Sequence, residues 1–291
     1  MNATGRFAPS PTGELHFGSL LSAVASYLQA KSAGGQWLIR IEDIDPPREV
    51  PGSAGRIIAD LERFGMQSDR EILYQSTRSA AYEQALDDLL ATGHAYWCGC
   101  SRSEIPTSGI YPGTCKNGLP KGKSPRSVRL RVSDRIIRFH DRIQGLVEEN
   151  LAQTVGDFVI RRADGFAAYQ LAVVLDDAFQ KVTEVVRGAD LLDSTTRQIH
   201  LQQCLGLKTP VYAHHPVVTG SDDKKLGKRY GSDPIASLPP PHMLRQVLRV
   251  LGQPCPGQLA LDKLWRWALD NWKLPKVPGQ TNVPLDQTNA E

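Results

Sequence analysis

The chain has 291 residues, of which 41% are hydrophobic, and a formal net charge of +3 at pH 7. This length allows two or three domains with a sizeable core, and the weak positive charge allows a nucleic-acid partner without requiring one. No apolar run comes near the length of about 18 residues that a membrane helix needs, and Met1 is not followed by the charged and then apolar residues of a signal peptide. We therefore expect no membrane insertion, no secretion and a cytoplasmic location.

The first predicted element is a short apolar strand around Phe7, which leads into a loop with two prolines and two glycines over residues 8–19. A helix follows, because apolar residues recur with helical spacing from Leu20 to Leu28. Ser19 at its start directs unpaired amides and the positive end of the helix dipole toward the loop. The loop therefore predicts a phosphate site, although an ordinary strand-to-helix connection explains it equally well.

A second predicted strand covers residues 36–42 and ends in an acidic run at residues 42–45. Ligands of open parallel sheets bind beyond the carboxyl ends of the strands, which is where these acids fall. Predicted helices over residues 53–64 and 77–92 follow, and each stops at a glycine. This alternation predicts an α/β fold with a parallel sheet.

The alternation fails between about residues 94 and 150. Residues 101–127 are rich in Gly, Pro, Ser and Lys and show neither a helical nor an alternating pattern, so we interpret the segment as an insertion. Nine Lys and Arg residues between Lys116 and Arg142 stand against only two acids, Asp134 and Asp141. Such a run is typical of a solvated surface and also of a module that contacts RNA.

The alternation then resumes. We predict a strand at residues 158–161, a helix at 168–175, a strand at 182–187, a helix capped by Ser194 or Thr195, a strand at 211–218, and helices at 243–251 and 259–272. Residues 275–291 are polar and contain proline, and we expect them to be disordered.

A basic loop follows the last strand, and its Lys225 and Lys228 are suited to gripping a polyphosphate. It resembles the Lys-Met-Ser-Lys-Ser loop of class I aminoacyl-tRNA synthetases, with these two lysines in place and Gly227 and Arg229 replacing the serines. The stretch His16-Phe17-Gly18-Ser19, about 200 residues earlier, resembles the His-Ile-Gly-His signature of the same family, with serine replacing the second histidine.

The paired motifs suit adenylation of a carboxylate by ATP. Negative charge develops on the α-phosphate and on departing pyrophosphate, and each preorganised donor there contributes about 3 to 4 kcal/mol. His16, Lys225 and Lys228 are the candidate catalytic donors, and Mg²⁺ would accompany the ATP. Gly18 would let the adenosine lie against the backbone, and the predicted ATP site consists of His16, Gly18, Ser19 and Lys228.

Longer strings at residues 6–13, 40–45, 157–165 and 187–192 resemble the glutamyl and glutaminyl branch of the family. This resemblance implies that the glutamate pocket is lined by Arg6, Phe7, Ala8, Pro9, Ser10, Glu42, Tyr169 and Arg187. The residue types agree, because two carboxylates suit two arginine forks and the ammonium suits an acid. In the alternative interpretation, each arginine pairs with a neighbouring acid such as Glu184 or Asp190.

Three cysteines in the insertion, Cys98, Cys100 and Cys115, suit one structural Zn²⁺ per chain. His94 is the chemically ordinary fourth ligand. The spacing resembles the glutamyl-queuosine subgroup of the family, which implies Tyr111 instead. Reduced thiols without a metal are a further alternative.

Only about 60 residues follow Arg229, whereas the resembling glutamyl-tRNA synthetases continue with a helical anticodon-binding region. The glutamyl-queuosine subgroup is similarly short. Membership of this subgroup implies that L-glutamate is activated to glutamyl-adenylate without tRNA. The glutamyl group is then transferred to the cyclopentenediol of queuosine at the wobble position of tRNA(Asp), and the protein binds the anticodon stem-loop of that tRNA. The alternatives are a minimal glutamyl-tRNA synthetase that charges the terminal adenosine, a catalytically inactive tRNA-binding paralogue, and a small-molecule nucleotidyltransferase.

The expected fold is therefore an α/β, Rossmann-type parallel sheet of the class I synthetase kind, with a zinc-containing insertion and a short helical C-terminal region. We expect a monomer. The predicted divisions are residues 1–93 (first Rossmann half), 94–150 (basic, zinc-containing module that contacts tRNA), 151–218 (second Rossmann half), 219–274 (lysine-rich catalytic loop and helices) and 275–291 (tail).

Overall fold

The structure is a computed structural model that describes residues 3–219 and 238–284. The strands in these ranges are β1 (Thr4–Phe7), β2 (Gln36–Ile41), β3 (Leu73–Tyr74), β4 (Ala95–Cys98), β5 (Ser127–Leu130), β6 (Ile136–Asp141), β7 (Gly145–Asn150), β8 (Phe158–Arg161), β9 (Glu184–Gly188), β10 (Val211–His215), β11 (Val217–Thr219) and β12 (Asn282–Pro284). The α-helices are α1 (Phe17–Ser32), α2 (Ser53–Arg63), α3 (Ser79–Ala91), α4 (Leu151–Thr154), α5 (Tyr169–Phe179), α6 (Leu192–Cys204), α7 (Pro240–Val250) and α8 (Leu261–Asn271).

Parallel strands form the centre of the fold. β1, β2 and β3 pair in that order, and β9 pairs with β10. The Thr183 amide donates to the Thr4 carbonyl at 2.9 Å, which places β9 beside β1. Helix α1 connects β1 to β2, and Leu20, Ala23 and Val24 on it are fully buried. The predicted parallel α/β fold is confirmed, and the strands bring their carboxyl ends to one edge.

The inserted region is antiparallel. β4, β5 and β8 form one sheet, and β6 and β7 form a hairpin. The sequence placed β8 in the second Rossmann half, but it pairs with β5 of the insertion. A four-residue apolar strand does not encode its partner, so this pairing depends on the tertiary fold.

One predicted helix start differs from the structure. Helix α6 begins at Leu192, and Leu191 is its N-cap residue without a side-chain hydrogen bond. The predicted cap at Ser194 or Thr195 is therefore wrong. The Thr195 hydroxyl instead lies 3.0 Å from Arg187, so its short polar side chain serves the site and not the helix end.

Helix α8 in the C-terminal part packs onto α1 and the end of α2. Trp265 of α8 packs edge-on against Tyr27 of α1 at 5.0 Å between ring centroids, and its indole N–H donates to the Phe64 carbonyl at 2.6 Å. The expectation of a disordered tail is wrong for residues 275–284, because β12 pairs in parallel with β11. So short a strand becomes stable only against an existing edge.

No helix within residues 3–219 and 238–284 combines the length and apolar character needed to span a bilayer.

Replacing Trp265 with alanine should lower the free energy of unfolding by about 3 to 5 kcal/mol, because the change leaves a cavity in the core and removes the partner of a buried carbonyl. Denaturant titration measures the loss. Trp267→Ala, at a half-buried position on the same helix, should cost clearly less. Equal losses in the two variants would contradict the packing described above.

Candidate active site

A cavity of about 440 Å³ lies at the carboxyl edge of the parallel strands. Every predicted glutamate-site residue lines it, together with the described residues of the predicted ATP site: Arg6, Phe7, Ala8, Pro9, Ser10, His16, Gly18, Ser19, Glu42, Tyr169 and Arg187. Lys225 and Lys228 lie outside the described residues. The stretch from Arg6 to Ser19 thus meets Glu42, Tyr169 and Arg187, which are distant in the sequence, around one space.

The loop after β1 forms one wall and is fixed at both ends. The Glu42 amide donates to the Pro9 carbonyl at 2.9 Å, which ties the loop to the end of β2. His16 is the N-cap residue of α1, and its ring accepts from the Ser19 amide at 3.4 Å. Its Nε2 lies 3.3 Å from the Ser19 hydroxyl. Capping therefore holds the predicted catalytic histidine at the positive end of the helix.

Buried charges form the floor near the ends of β1 and β2. Arg6 Nε and Arg40 Nη1 donate to the same oxygen of Asp177, at 3.1 and 2.8 Å. Arg40 Nη2 lies 3.5 Å from Glu42 Oε1. Arg6 is thus paired with an acid, but with Asp177 and not with either acid that we considered from the sequence.

Burial controls the electrostatics of this group. It raises the pKa of Glu42, and the Arg40 and Arg6 charges offset the rise only in part. Burial also favours protonation of Asp177, but the same two arginines hold the pKa of its carboxyl below the usual value. Although burial lowers the pKa of Arg40, the Asp177 and Glu42 charges raise it above its ordinary range.

Arg187 at the end of β9 is buried among neutral partners. Its Nε donates to His214 Nε2 at 3.0 Å, and its Nη2 donates to Thr195 Oγ1 at 3.0 Å and Gln198 Oε1 at 2.9 Å. Its Nη1 lies 3.4 Å from the Tyr169 hydroxyl. Glu184, one of the acids considered as its partner, instead pairs with Arg142 at 3.0 Å. A buried guanidinium held by neutral groups suits an anionic ligand.

The three predicted zinc-binding cysteines converge in the insertion. The sulfurs of Cys98, Cys100 and Cys115 all lie within 4.8 Å of one another. The Tyr111 hydroxyl lies 3.3 Å from Cys98 Sγ and 3.6 Å from Cys100 Sγ. His94 is exposed and is not a member of this group.

The surroundings of Cys98 favour its thiolate, whereas burial raises the pKa of Cys100. Burial raises the pKa of Cys98, but hydrogen bonds from Tyr111, the Cys100 amide and Arg129 lower it to about 7. Arg129 Nε lies 3.4 Å from Cys98 Sγ, and its guanidinium lies 3.7 Å above the Tyr111 ring. Gly156 permits the Tyr111 backbone to approach, since a Cβ there would lie 2.4 Å from the Tyr111 carbonyl oxygen.

Comparisons with known proteins agree with this geometry. The model of the class I tRNA synthetases (E and Q), catalytic domain, matches residues 3–108 and 113–245. The chain belongs to this class I synthetase family. It is 50% identical over 290 residues to a glutamyl-Q tRNA(Asp) synthetase of Chromobacterium violaceum, covering 97% of both chains. It is 52% identical to the protein of that name from Aromatoleum aromaticum, covering 95% of this chain and 90% of that one.

Among solved structures, the fold resembles a glutamate tRNA ligase of Elizabethkingia meningosepticum, in complex with its amino acid. The TM-score is 0.85 at 27% identity, and the match covers 99% of this chain and 68% of that one. The resemblance to class I synthetases that the sequence motifs suggested is therefore confirmed, and the relatives place the chain in the glutamyl-Q branch of the family.

Sequence reasoning missed several residues of this synthetase site. Arg40 lies within the largely apolar strand β2, and Asp177 lies in the largely apolar helix α5. A charged residue within a buried apolar pattern is the signal that could have identified both. His214 lies outside the cavity and contacts Arg187 at 3.0 Å and the Thr195 hydroxyl at 3.2 Å, so its role carries no local sequence signal.

The buried His215 makes stability depend on pH. Its Nδ1 donates to the Pro216 carbonyl and its Nε2 accepts from Ser22, both at 2.9 Å, and burial lowers its pKa to about 4. The neutral ring is favoured in the fold, so its contribution is complete above the unfolded pKa of about 6.5 and is lost as pH falls toward 4. We expect the free energy of unfolding to fall by about 3 kcal/mol over that interval because of this group.

Denaturant titrations between pH 4 and 7 measure this slope. His215→Gln should flatten it, whereas His140→Gln, at an exposed position of β6, should leave it as in the unaltered protein. A slope unchanged by His215→Gln would assign the pH dependence to other groups.

Proposed function

We propose that the protein activates L-glutamate with ATP, without tRNA, and then transfers the glutamyl group to the cyclopentenediol of queuosine at the wobble position of tRNA(Asp). The observation that carries the proposal is the single cavity in which two buried arginines, a glutamate with 9% side-chain exposure and the N-terminus of α1 meet.

The charges of this cavity match glutamate. Arg6 and Arg187 would each bind one carboxylate, and Glu42 would bind the ammonium group. Arg6 contacts Asp177 through Nε, and its Nη groups have no hydrogen-bond partner among residues 3–219 and 238–284. An ammonium beside Glu42 would offset the burial that raises the pKa of its carboxyl. Phe7, Ala8, Pro9, Ser10 and Tyr169 would complete the pocket wall.

The other end of the cavity suits ATP. His16, Gly18 and Ser19 lie at the start of α1, where the helix dipole favours phosphate. Lys225 and Lys228, from the segment outside the described residues, would add two positive charges. Mg²⁺ would enter with ATP and neutralise part of the phosphate charge.

The proposed reaction has two balanced steps. An α-carboxylate oxygen of glutamate attacks the α-phosphorus of ATP, and the bond to pyrophosphate breaks, which yields glutamyl-adenylate. A hydroxyl of the cyclopentenediol then attacks the acyl carbon, loses its proton and releases AMP. The carboxylate is the nucleophile of the first step, so the protein's contribution there is positioning and charge stabilisation.

The choice of acceptor rests on the relatives. The two relatives from Chromobacterium violaceum and Aromatoleum aromaticum are both named glutamyl-Q tRNA(Asp) synthetase. The match covers 97% of the first and 90% of the second. The likeness to a glutamate tRNA ligase makes charging of a terminal adenosine the second candidate. Both ATP and tRNA are available in the cytoplasm, where we place the reaction.

Incubation with ATP, radiolabelled glutamate and tRNA(Asp) tests the proposal. We expect label on tRNA(Asp) that carries queuosine and on an isolated anticodon stem-loop with queuosine, but not on queuosine-free tRNA(Asp). Equal labelling of unmodified tRNA(Glu) would favour terminal charging. Absence of glutamate-dependent pyrophosphate exchange into ATP would instead indicate an inactive paralogue.

Replacing Lys228 with alanine should lower the exchange rate at least about 100-fold and leave glutamate affinity unchanged, since the lost charge acts on phosphate. Pyrophosphate exchange at saturating substrates and glutamate titration measure the two effects. Lys208→Ala, at an exposed position, is the matched loss of a lysine. Unchanged turnover in the Lys228 variant would remove this side chain from the mechanism.

We also propose that Cys98, Cys100, Cys115 and Tyr111 hold one structural Zn²⁺. Three sulfurs and a phenol oxygen at these separations fit the ligand types and the number that zinc takes. The metal would stabilise a segment whose own apolar cluster is small, with four buried members, Tyr96, Cys98, Tyr111 and Cys115.

Cys115→Ser should reduce the zinc content from about one per chain to a small fraction of that, because one of three thiolates is lost. Elemental analysis of the purified protein measures the metal, and Cys255→Ser, outside the cluster, is the matched control. Tyr111→Phe should weaken zinc retention under chelator and His94→Ala should not. The reverse result would make His94 the fourth ligand.

A further inference from the structure

Two buried residues outside the cavity determine how Arg187 is held. Asp141, at the end of β6, and His214, on β10, each have 0% exposure, and neither lines the cavity. Asp141 belongs to the inserted hairpin, whereas Arg187 and His214 lie on the parallel strands β9 and β10. A side chain of the insertion therefore reaches the support of the proposed glutamate pocket.

The hydrogen bonds fix the tautomer of His214. Arg187 Nε can only donate, so His214 Nε2, at 3.0 Å, must be the acceptor. The ring proton is then on Nδ1, which lies 2.6 Å from Asp141 Oδ2 and donates to it. Burial lowers the pKa of His214, which keeps the ring neutral as this arrangement requires.

Asp141 is itself held rigidly. Its Oδ1 accepts from the amides of Ile143 at 3.0 Å, Gln144 at 2.9 Å and His214 at 3.1 Å. The hairpin turn also covers the edge of β10, since the Gln144 side chain donates to the His214 carbonyl at 2.8 Å. Three amide donors and one imidazole donor leave little freedom to this carboxylate.

The remaining contacts of Arg187 show what this support achieves. Nε is bound to His214, and Nη2 is bound to Thr195 and Gln198. The contact of Nη1 within the described parts of the chain is the Tyr169 hydroxyl at 3.4 Å, and both residues line the cavity. Because Nε and Nη2 are already hydrogen-bonded within the protein, Nη1 is the nitrogen of the guanidinium that is oriented to bind a ligand in the cavity.

We propose that Asp141 and His214 are positioning residues that lock the Arg187 guanidinium in the orientation that binds a glutamate carboxylate. The proposal rests on the function proposed above and adds to it two residues that touch neither glutamate nor ATP. It also makes the inserted hairpin a part of the amino acid site.

Asp141→Asn tests the proposal with the smallest change of shape. The asparagine oxygen can still accept from the three amides, but its NH₂ group faces His214 Nδ1 and favours the opposite tautomer. His214 Nε2 would then carry a proton toward Arg187 Nε, which places two donors face to face. We expect the KM for glutamate in pyrophosphate exchange to rise about tenfold or more, as for a buried donor left unpaired, and the KM for ATP to change less than about twofold.

Glu148→Gln, an exposed acid on the same hairpin, is the matched control in this tRNA-free assay and should change neither constant.

A second pair of variants keeps the test decisive if Asp141→Asn folds poorly. His214→Phe preserves a ring but removes the acceptor, whereas His214→Gln can still offer an oxygen to Arg187 Nε. A positioning role predicts a higher glutamate KM in the phenylalanine variant and partial recovery in the glutamine variant. A merely structural role predicts that both lose thermal stability and that the glutamate and ATP constants change together.

The outcomes separate the two proposals. An unaltered protein without glutamate-dependent exchange would overturn the proposed function and this inference with it. An active unaltered protein whose Asp141→Asn and His214→Phe variants keep the original glutamate KM would overturn the inference alone.

Discussion

The shared carboxylate of Asp177 is the interaction on which the site depends. Two guanidiniums, from Arg6 and Arg40, are buried within the parallel strands and would be strongly unfavourable there without a counter-charge. One oxygen of Asp177 serves both. Because Asp177 lies on α5, this ion pair also fixes that helix, whose first residue is Tyr169, against the ends of β1 and β2.

The two proposed carboxylate-binding arginines are prepared in different ways. Arg6 is balanced by a charge, whereas Arg187 is surrounded by neutral hydrogen-bond partners. A buried cation without a charged hydrogen-bond partner loses less by binding an anion than one that must share its counter-ion. Arg187 is therefore the stronger attractor for an incoming carboxylate, and the accuracy of its orientation matters correspondingly more.

The insertion is attached to the parallel sheet by a shared apolar core and by polar contacts. Val128 and Leu130 of β5 and Ile137 of β6 belong to the same buried cluster as Val185, Ile199 and Tyr212. The apolar cluster around the cysteines of the insertion is small. Strand β5 of the insertion pairs with β8, which lies beyond the predicted boundary at residue 150. The hairpin turn covers the edge of β10 through Asp141, Arg142 and Gln144. The inserted hairpin, part of the module expected to contact tRNA, is thereby hydrogen-bonded directly to the strand beside Arg187.

The sequence alone determined the local features of this protein. Apolar periodicity predicted α1, the buried run of residues 37–41 predicted β2, and the motifs around His16, Arg6 and Arg187 predicted residues that the structure brings around one cavity. Tertiary structure decided which strand pairs with β8, how residues 275–284 are ordered, and that Thr195 supports Arg187 instead of capping α6. It also selected Asp177 and His214 as partners of Arg6 and Arg187.

The reason is physical. Apolar periodicity and turn chemistry act between residues that are a few positions apart in the sequence. Strand pairing and the neutralisation of buried charge depend on groups such as Arg6 and Asp177, which are 171 positions apart and meet only in the folded chain.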